Sequence, residues 1–305
     1  MRGFRVQNNT KQGFTLIELS IVLVIIGLIV GGVLVGQDLI RAAGVRAQIT
    51  QIEKYNQAVN TFRGKYDALP GDLNAQVASN FGFTPRGAFP GWGDGDGIIR
   101  GNSATVLPSG INFGNGEQVM FWQDLTTANG LNVNLIEGSF SPSWGPSPGI
   151  SSGFDAYLPQ AKIGNGNYVY VWSGGPLEAW GAGGDIATNN GTNYFGVAAV
   201  WYMNSGGWAS YGNPGMTVQQ AYSIDQKIDD GFPQSGHVLA LYINPNVNVG
   251  ATWAGTGQGG APYTTPTTGS SATCFDNGGG SGPQQYSIEI SGGSNVNCAL
   301  SFQFQ

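Results

Sequence analysis

From Phe14 to Gly36 the chain reads FTLIELSIVLVIIGLIVGGVLVG, 23 residues with one charge, Glu18. A helix of that length extends about 35 Å at about 1.5 Å per residue, enough to cross a bilayer core of about 30 Å. Arg2, Arg5 and Lys11 precede the run, and the next cation is Arg41. Basic residues on the leading side favour an N-terminus held in the cytoplasm, with everything after Gly36 outside. A secretory signal peptide also starts basic and apolar, but it is cut after its apolar core at a small-residue site, and no A-x-A pattern follows here. A plain single-span anchor leaves Glu18 unexplained. A carboxylate inside an apolar helix costs on the order of 3 kcal/mol unless it is paired or hydrated.

The two cysteines, Cys274 and Cys298, take their meaning from this topology. In a reducing compartment they would be free thiols or half of a metal site. Outside the cell membrane they would form one disulfide, worth about 3 kcal/mol for a loop of this size. Only 10% of residues are charged and the net charge is −6, so binding nucleic acid by general electrostatics is not expected.

The residues Lys11-Gln12-Gly13-Phe14-Thr15-Leu16-Ile17-Glu18 resemble the cleavage motif of type IV prepilins and type II secretion pseudopilins. The resemblance implies a cut between Gly13 and Phe14 by a membrane-embedded prepilin peptidase, and N-methylation of the new Phe14 amino terminus. It also implies a role for Glu18. In a filament of such helices its carboxylate pairs with the Phe14 amino terminus of an adjoining copy, which removes two isolated charges from hydrocarbon and sets the register. The implied layout is a leader at 1–13, a transmembrane and filament-core helix at 14–36, an amphipathic continuation at 37–66 and an extracytoplasmic domain at 67–305. The implied partners are other pilin or pseudopilin subunits, the peptidase and an inner-membrane assembly platform. The implied location is the bacterial inner membrane, then a filament in the periplasm or on the cell surface. Cys274 and Cys298 sit where many pilins close a C-terminal disulfide loop.

The helix is expected to continue beyond the membrane. Ile49, Ile52, Tyr55, Val59, Phe62 and Tyr66 recur at spacings of three and four, one apolar stripe. The sequence LPGD at Leu69–Asp72 stops it, because Pro70 removes a backbone donor. Strands are expected at Tyr168–Trp172, Tyr194–Met203, His237–Ile243, Ser287–Ile290 and Ala299–Phe304 from their aromatic and β-branched content. Helices are expected at Glu117–Thr127 and after Thr217, where Thr217-x-x-Gln220 is a capping box. Asn244–Gln285, rich in Gly, Pro, Thr and Ser, reads as a surface excursion with little to bury. The fold class is α+β: a long N-terminal helix packed on a mostly antiparallel β domain with long loops, the pilin-like layout.

Chemistry is sparse. Asp94 and Asp96, alternating with glycines, are a candidate calcium pair, yet an EF-hand needs further oxygens and a distal Glu that this stretch lacks, so a plain turn competes. Asp225, Asp229 and Asp230 form a weaker candidate, which also reads as a helix end and turn. Gly149–Gly153 fits G-x-S-x-G with Asp230 and His237 following, but SPSWGPSPG ahead of it cannot be the buried strand that motif requires. Trp122, Trp172 and Trp201 read as core, while Trp92, Trp144, Trp180, Trp208 and Trp253 lie in Gly-rich loops suited to contact with a ligand or a neighbouring subunit. The first functional expectation is therefore a non-enzymatic filament subunit of a pilus or pseudopilus. The alternative is a minor pilin-like adhesin or binding subunit, and a membrane-anchored hydrolase stands far behind both.

Overall fold

The computed structural model describes residues 13, 15–86, 92–101, 114–128, 131–174, 191–204, 211–243, 251–256 and 266–304. Phe14 and the leader ahead of Gly13 lie outside the described residues, as do Trp180 and Trp208. The chain divides into two units, Met1–Ala43 and Gly44–Gln305.

Helix α1 is continuous from Leu16 to Tyr66, 51 residues. In the first unit its large apolar side chains, Leu16 through Ile40, are all exposed. That segment is long and apolar enough to cross a membrane by length and composition. So large an exposed apolar surface is characteristic of lipid or protein contact rather than water.

In the second unit α1 buries Ile52, Tyr55, Val59, Phe62 and Tyr66, the stripe the spacing predicts, with Ile49 half-buried beside them. Two glutamines join that face. Gln51 donates to the Gln160 carbonyl at 2.9 Å and accepts from Lys162 N–H at 2.9 Å, while Gln48 accepts from Ile163 N–H at 3.0 Å. The helix ends after Tyr66, and Asp67 takes a left-handed φ of 54°. Leu69 and Leu73 then plug the core, with Gly71 between them at φ 83°. A Cβ on Gly71 would stand 2.3 Å from the Glu117 carbonyl oxygen, so no other residue fits. A short helix, α2 (Ala75–Phe81), follows, capped by the Asn74 side chain on Val77 N–H. Helix α3 (Glu117–Thr126) is buried all round.

The main sheet is antiparallel. Its strands are β1 (Asn167–Ser173), β2 (Asn193–Tyr202), β3 (Tyr211–Asn213), β4 (Val238–Leu239) and β5 (Leu300–Gln303). Their order is β1-β2-β5-β4, with β3 pairing the far end of β2. Val169 lies opposite Val197, which also faces Leu300, and Phe302 lies opposite Val238. Aromatic rings join the layers: Tyr55 of α1 meets Trp122 of α3 at 5.0 Å and Phe195 of β2 at 5.9 Å, and Phe195 stacks on Phe304 at 4.3 Å. Trp172 stacks on Tyr194 at 4.7 Å, and its indole N–H reaches Ser301 Oγ at 3.1 Å. The second predicted helix, α4, spans Val218–Ile228, and its capping box is formed in both directions between Thr217 and Gln220.

Four expectations need correction. His237–Ile243 is two short strands, because Ala240 turns its N–H to the Pro233 carbonyl and accepts from Ala254 N–H. Ser287–Ile290 is not a strand. The ladder is Phe275–Asp276 with Gln285–Tyr286, and the chain then turns into a short helical piece at Ile290–Gly293. Within Asn244–Gln285 the described residues bury Ala254, Cys274 and Phe275, and Ala251–Trp253 pairs with Leu241–Ile243. The disulfide and Phe275 give that stretch a core that its composition conceals. Trp201 is 43% exposed, since β2 carries a register shift between Val200 and Tyr202 that turns it outward.

Candidate assembly site and the acidic loop anchor

Helix α1 opens with a reciprocal cap. Glu18 Oε2 accepts from the Thr15 backbone N–H and from Thr15 Oγ1, both at 2.8 Å, and Glu18 N–H donates back to Thr15 Oγ1 at 3.3 Å. The Thr15-x-x-Glu18 spacing is what allows this, since Ncap and N3 side chains meet across the first helical turn. The carboxylate has no basic partner among the described residues, and its neighbours Leu16, Ile17 and Leu19 are apolar and exposed. Gly13 adjoins this turn with open space around it.

A second set of acids lies inside the domain. Asp72, from LPGD, accepts Gly95 N–H at 2.8 Å and Gly97 N–H at 2.7 Å. Glu117, at the start of α3, accepts Gly93 N–H and Arg100 N–H, each at 2.8 Å. Four backbone donors of one loop thus end on two buried carboxylates. Asp94 completes the group, one oxygen of each carboxylate lying within 4.8 Å of the others. Asp96 does not join it: its carboxylate pairs with Arg100 and accepts Ile98 N–H. Burial pushes Asp72 up to about 7, against the pull of its two N–H donors, and pushes Glu117 well above the ordinary glutamate range, with Asp72 adding repulsion. The groups converging on Asp72 and Glu117 are N–H donors, whereas calcium collects carbonyl and carboxylate oxygens, six to eight of them. The donor set therefore suits a loop anchor better than a calcium cage. Nearby, Arg86 and Asp124 form a fully buried ion pair, with Gly71 N–H also donating to Asp124 at 2.7 Å.

Cys274 and Cys298 are joined by a disulfide with a Cα separation of 5.1 Å, and both residues are fully buried. The bond links the Phe275–Asp276 ladder to the strand Val296–Cys298, which pairs with Met216–Thr217 ahead of α4.

Residues 8–34 match the family model for the prokaryotic N-terminal methylation motif. The chain carries the type IV pilin and pseudopilin signature. No curated protein and no solved structure matches the chain. The pilin-type signature covers Gly13, Phe14 and Glu18, and with the one long apolar helix among the described residues it fits a membrane-anchored extracytoplasmic protein that assembles with other pilin subunits.

Beyond the pilin-type segment, the remaining candidates are turn-forming groups. Asp229 accepts His237 and Val238 N–H, and Asp230 accepts Phe232 N–H at 2.8 Å and Ser235 Oγ at 2.6 Å. His237 Nδ1 lies 3.2 Å from Gln303 Oε1. Trp92 and Trp144 pack on each other at 4.7 Å with the Arg86 guanidinium over Trp144. Sequence reasoning missed Asp72 and Glu117 as a unit. The available signal was an acid directly after the Pro70-Gly71 turn, and an acid opening a helix whose one other charge is Asp124.

Proposed function

We propose that the chain is a subunit of a type IV pilus or a type II secretion pseudopilus. Its leader is cut between Gly13 and Phe14, Phe14 is methylated, and the helix holds it in the inner membrane, N-terminus inward, until assembly. The observation that carries this reading is Glu18, an acid without a basic partner among the described residues on an exposed apolar helix, directly after the cleavage motif. The Thr15 cap uses one oxygen of that carboxylate, but a plain anchor leaves its charge without a counter-ion. Within a filament it meets the one cation each copy can supply at that depth, a neighbour's Phe14 amino terminus. The test is mass spectrometry of the protein from sheared filaments: its N-terminal peptide begins at methylated Phe14. A full-length N-terminus in cells with a working prepilin peptidase would leave an ordinary tethered ectodomain instead.

A second reading, a minor binding subunit, draws on the outward-facing Trp201. Abundance separates the two, because a major subunit dominates a sheared preparation and a minor one is barely visible there.

A further inference from the structure

Charge is segregated along this chain. Residues 37–66 of α1 carry Arg41, Arg46, Lys54, Arg63 and Lys65 against Asp38 and Glu53. Residues 67–305 carry 15 acidic residues against four basic ones, Arg86, Arg100, Lys162 and Lys227. Arg86 and Arg100 are buried in ion pairs with Asp124 and Asp96. Lys162 lies beside α1, held there by its N–H on Gln51. Lys227 stands in the last turn of α4.

Arg46, Lys54 and Lys162 line a groove of about 1320 Å³. Its floor is Tyr55 and Ala58 of α1, its walls are Leu135–Phe140 and Leu158–Lys162, and Arg46, Lys54 and Lys162 stand exposed at its mouth. Two acids share the rim, Glu137 and Asp155, and Asp155 is engaged by the Gln160 amide at 2.7 Å. The groove runs along the outer edge of β1, where Val169 N–H bonds the Pro159 carbonyl and Ala161 N–H bonds that of Asn167.

A complementary projection lies at the other end of the same sheet. At the end of α4, Ile228 (39% exposed) and Phe232 (38% exposed) flank Asp229, Asp230 and Gly231. Asp229 caps the N–H groups of His237 and Val238 at the start of β4, the opposite outer strand. No Lys or Arg pairs with Asp229 or Asp230 among the described residues, the adjacent Lys227 included. Two anions between two exposed apolar side chains match a groove with an apolar floor and a cationic mouth.

We propose that the Ile228–Phe232 turn of one copy seats in the groove beside Arg46, Lys54 and Lys162 of the next. Because projection and groove occupy opposite edges of one sheet, the contact is heterologous and leaves a free groove and a free turn at the ends of every assembly, the geometry of an open filament. The partner is a second copy of this chain, and the inference rests on the filament reading above.

Zero-length carbodiimide coupling of wild-type sheared filaments tests it, since only carboxylates touching lysines are joined. The expected product is a covalent ladder of copies, with amide links from Lys54 or Lys162 to Asp229 or Asp230. A charge reversal, Asp230→Lys, is expected to lower filament yield at least tenfold, and Lys54→Glu with Lys162→Glu in a co-expressed copy to restore it. Filaments whose Lys54 and Lys162 link only to other carboxylates would overturn this contact and leave the filament reading intact. A wild-type chain that never enters a filament would remove the functional reading, and this contact with it.

Discussion

The Tyr286 hydroxyl donates to Asp225 Oδ2 at 2.7 Å inside the protein, tying the Gln285–Tyr286 strand to helix α4. Burial pushes Asp225 up to about 7, with Asp230 and Asp229 adding repulsion, and the Tyr286 and Gly231 donors opposing. Asp72, pushed up to about 7, and Glu117 move in the same direction. The folded protein therefore keeps protons that the unfolded chain releases near pH 4. Stability from these groups is greatest below about pH 4 and declines as pH rises to about 7. Thermal melts followed by circular dichroism are expected to show a midpoint several degrees higher at pH 5 than at pH 8, and Asp225→Asn to flatten part of that slope.

Glu18→Val removes the acceptor of the Thr15 cap and the acid offered to a neighbour. The variant is expected to be cleaved at near wild-type level, because the cut precedes Phe14, yet to yield no filaments. Immunoblotting for the mature form alongside electron microscopy of sheared material checks both halves. Normal fibres from this variant would refute the pairing argument.

The disulfide closes a loop of 24 residues in sequence separation. Replacing Cys274 and Cys298 together with Ala is expected to cost about 3 kcal/mol, through both the freer unfolded chain and the loss of a buried contact. Denaturant titration of the variant, or of wild type with reductant, gives the value.

Gly196 faces Tyr170 across β1 and β2, and a Cβ there would stand 2.3 Å from the Tyr170 ring. That ring is fully buried, and its hydroxyl accepts Ile243 N–H at 3.2 Å. It cannot yield without breaking a second contact. Gly196→Ala is expected to destabilise by about 1–3 kcal/mol, the range for overpacked cores, read as a shift in the denaturant midpoint.

For the acidic loop we propose an anchoring role, without a metal. Millimolar calcium is then expected to move the melting midpoint by less than about 1 °C, as a fully coordinated ion would move it far more. A rise of several degrees, abolished by Asp94→Asn, would assign a calcium site instead.

Local pattern was enough for several elements. The apolar run, the α1 stripe, the Thr217–Gln220 capping box and the strands around Val169, Val197 and Phe302 rest on spacing between near neighbours, and spacing survives whatever the chain packs against. The broken strand at Ala240 and the outward Trp201 were not readable, because each depends on which distant carbonyl or strand offers a partner.

The N-terminal residues alone determined that this chain has a membrane-length helix, a processing motif and an acid in need of a counter-ion. Those features are consecutive in sequence, and their chemistry needs no distant partner from the same molecule. Only the tertiary structure decided that Asp72 and Glu117 share one loop, that Asp96 turns away to Arg100, and that groove and acidic turn lie at opposite sheet edges. Each of those relations joins residues that are far apart along the chain or differ only in which neighbour they face, and packing settles such choices after local preference has been spent.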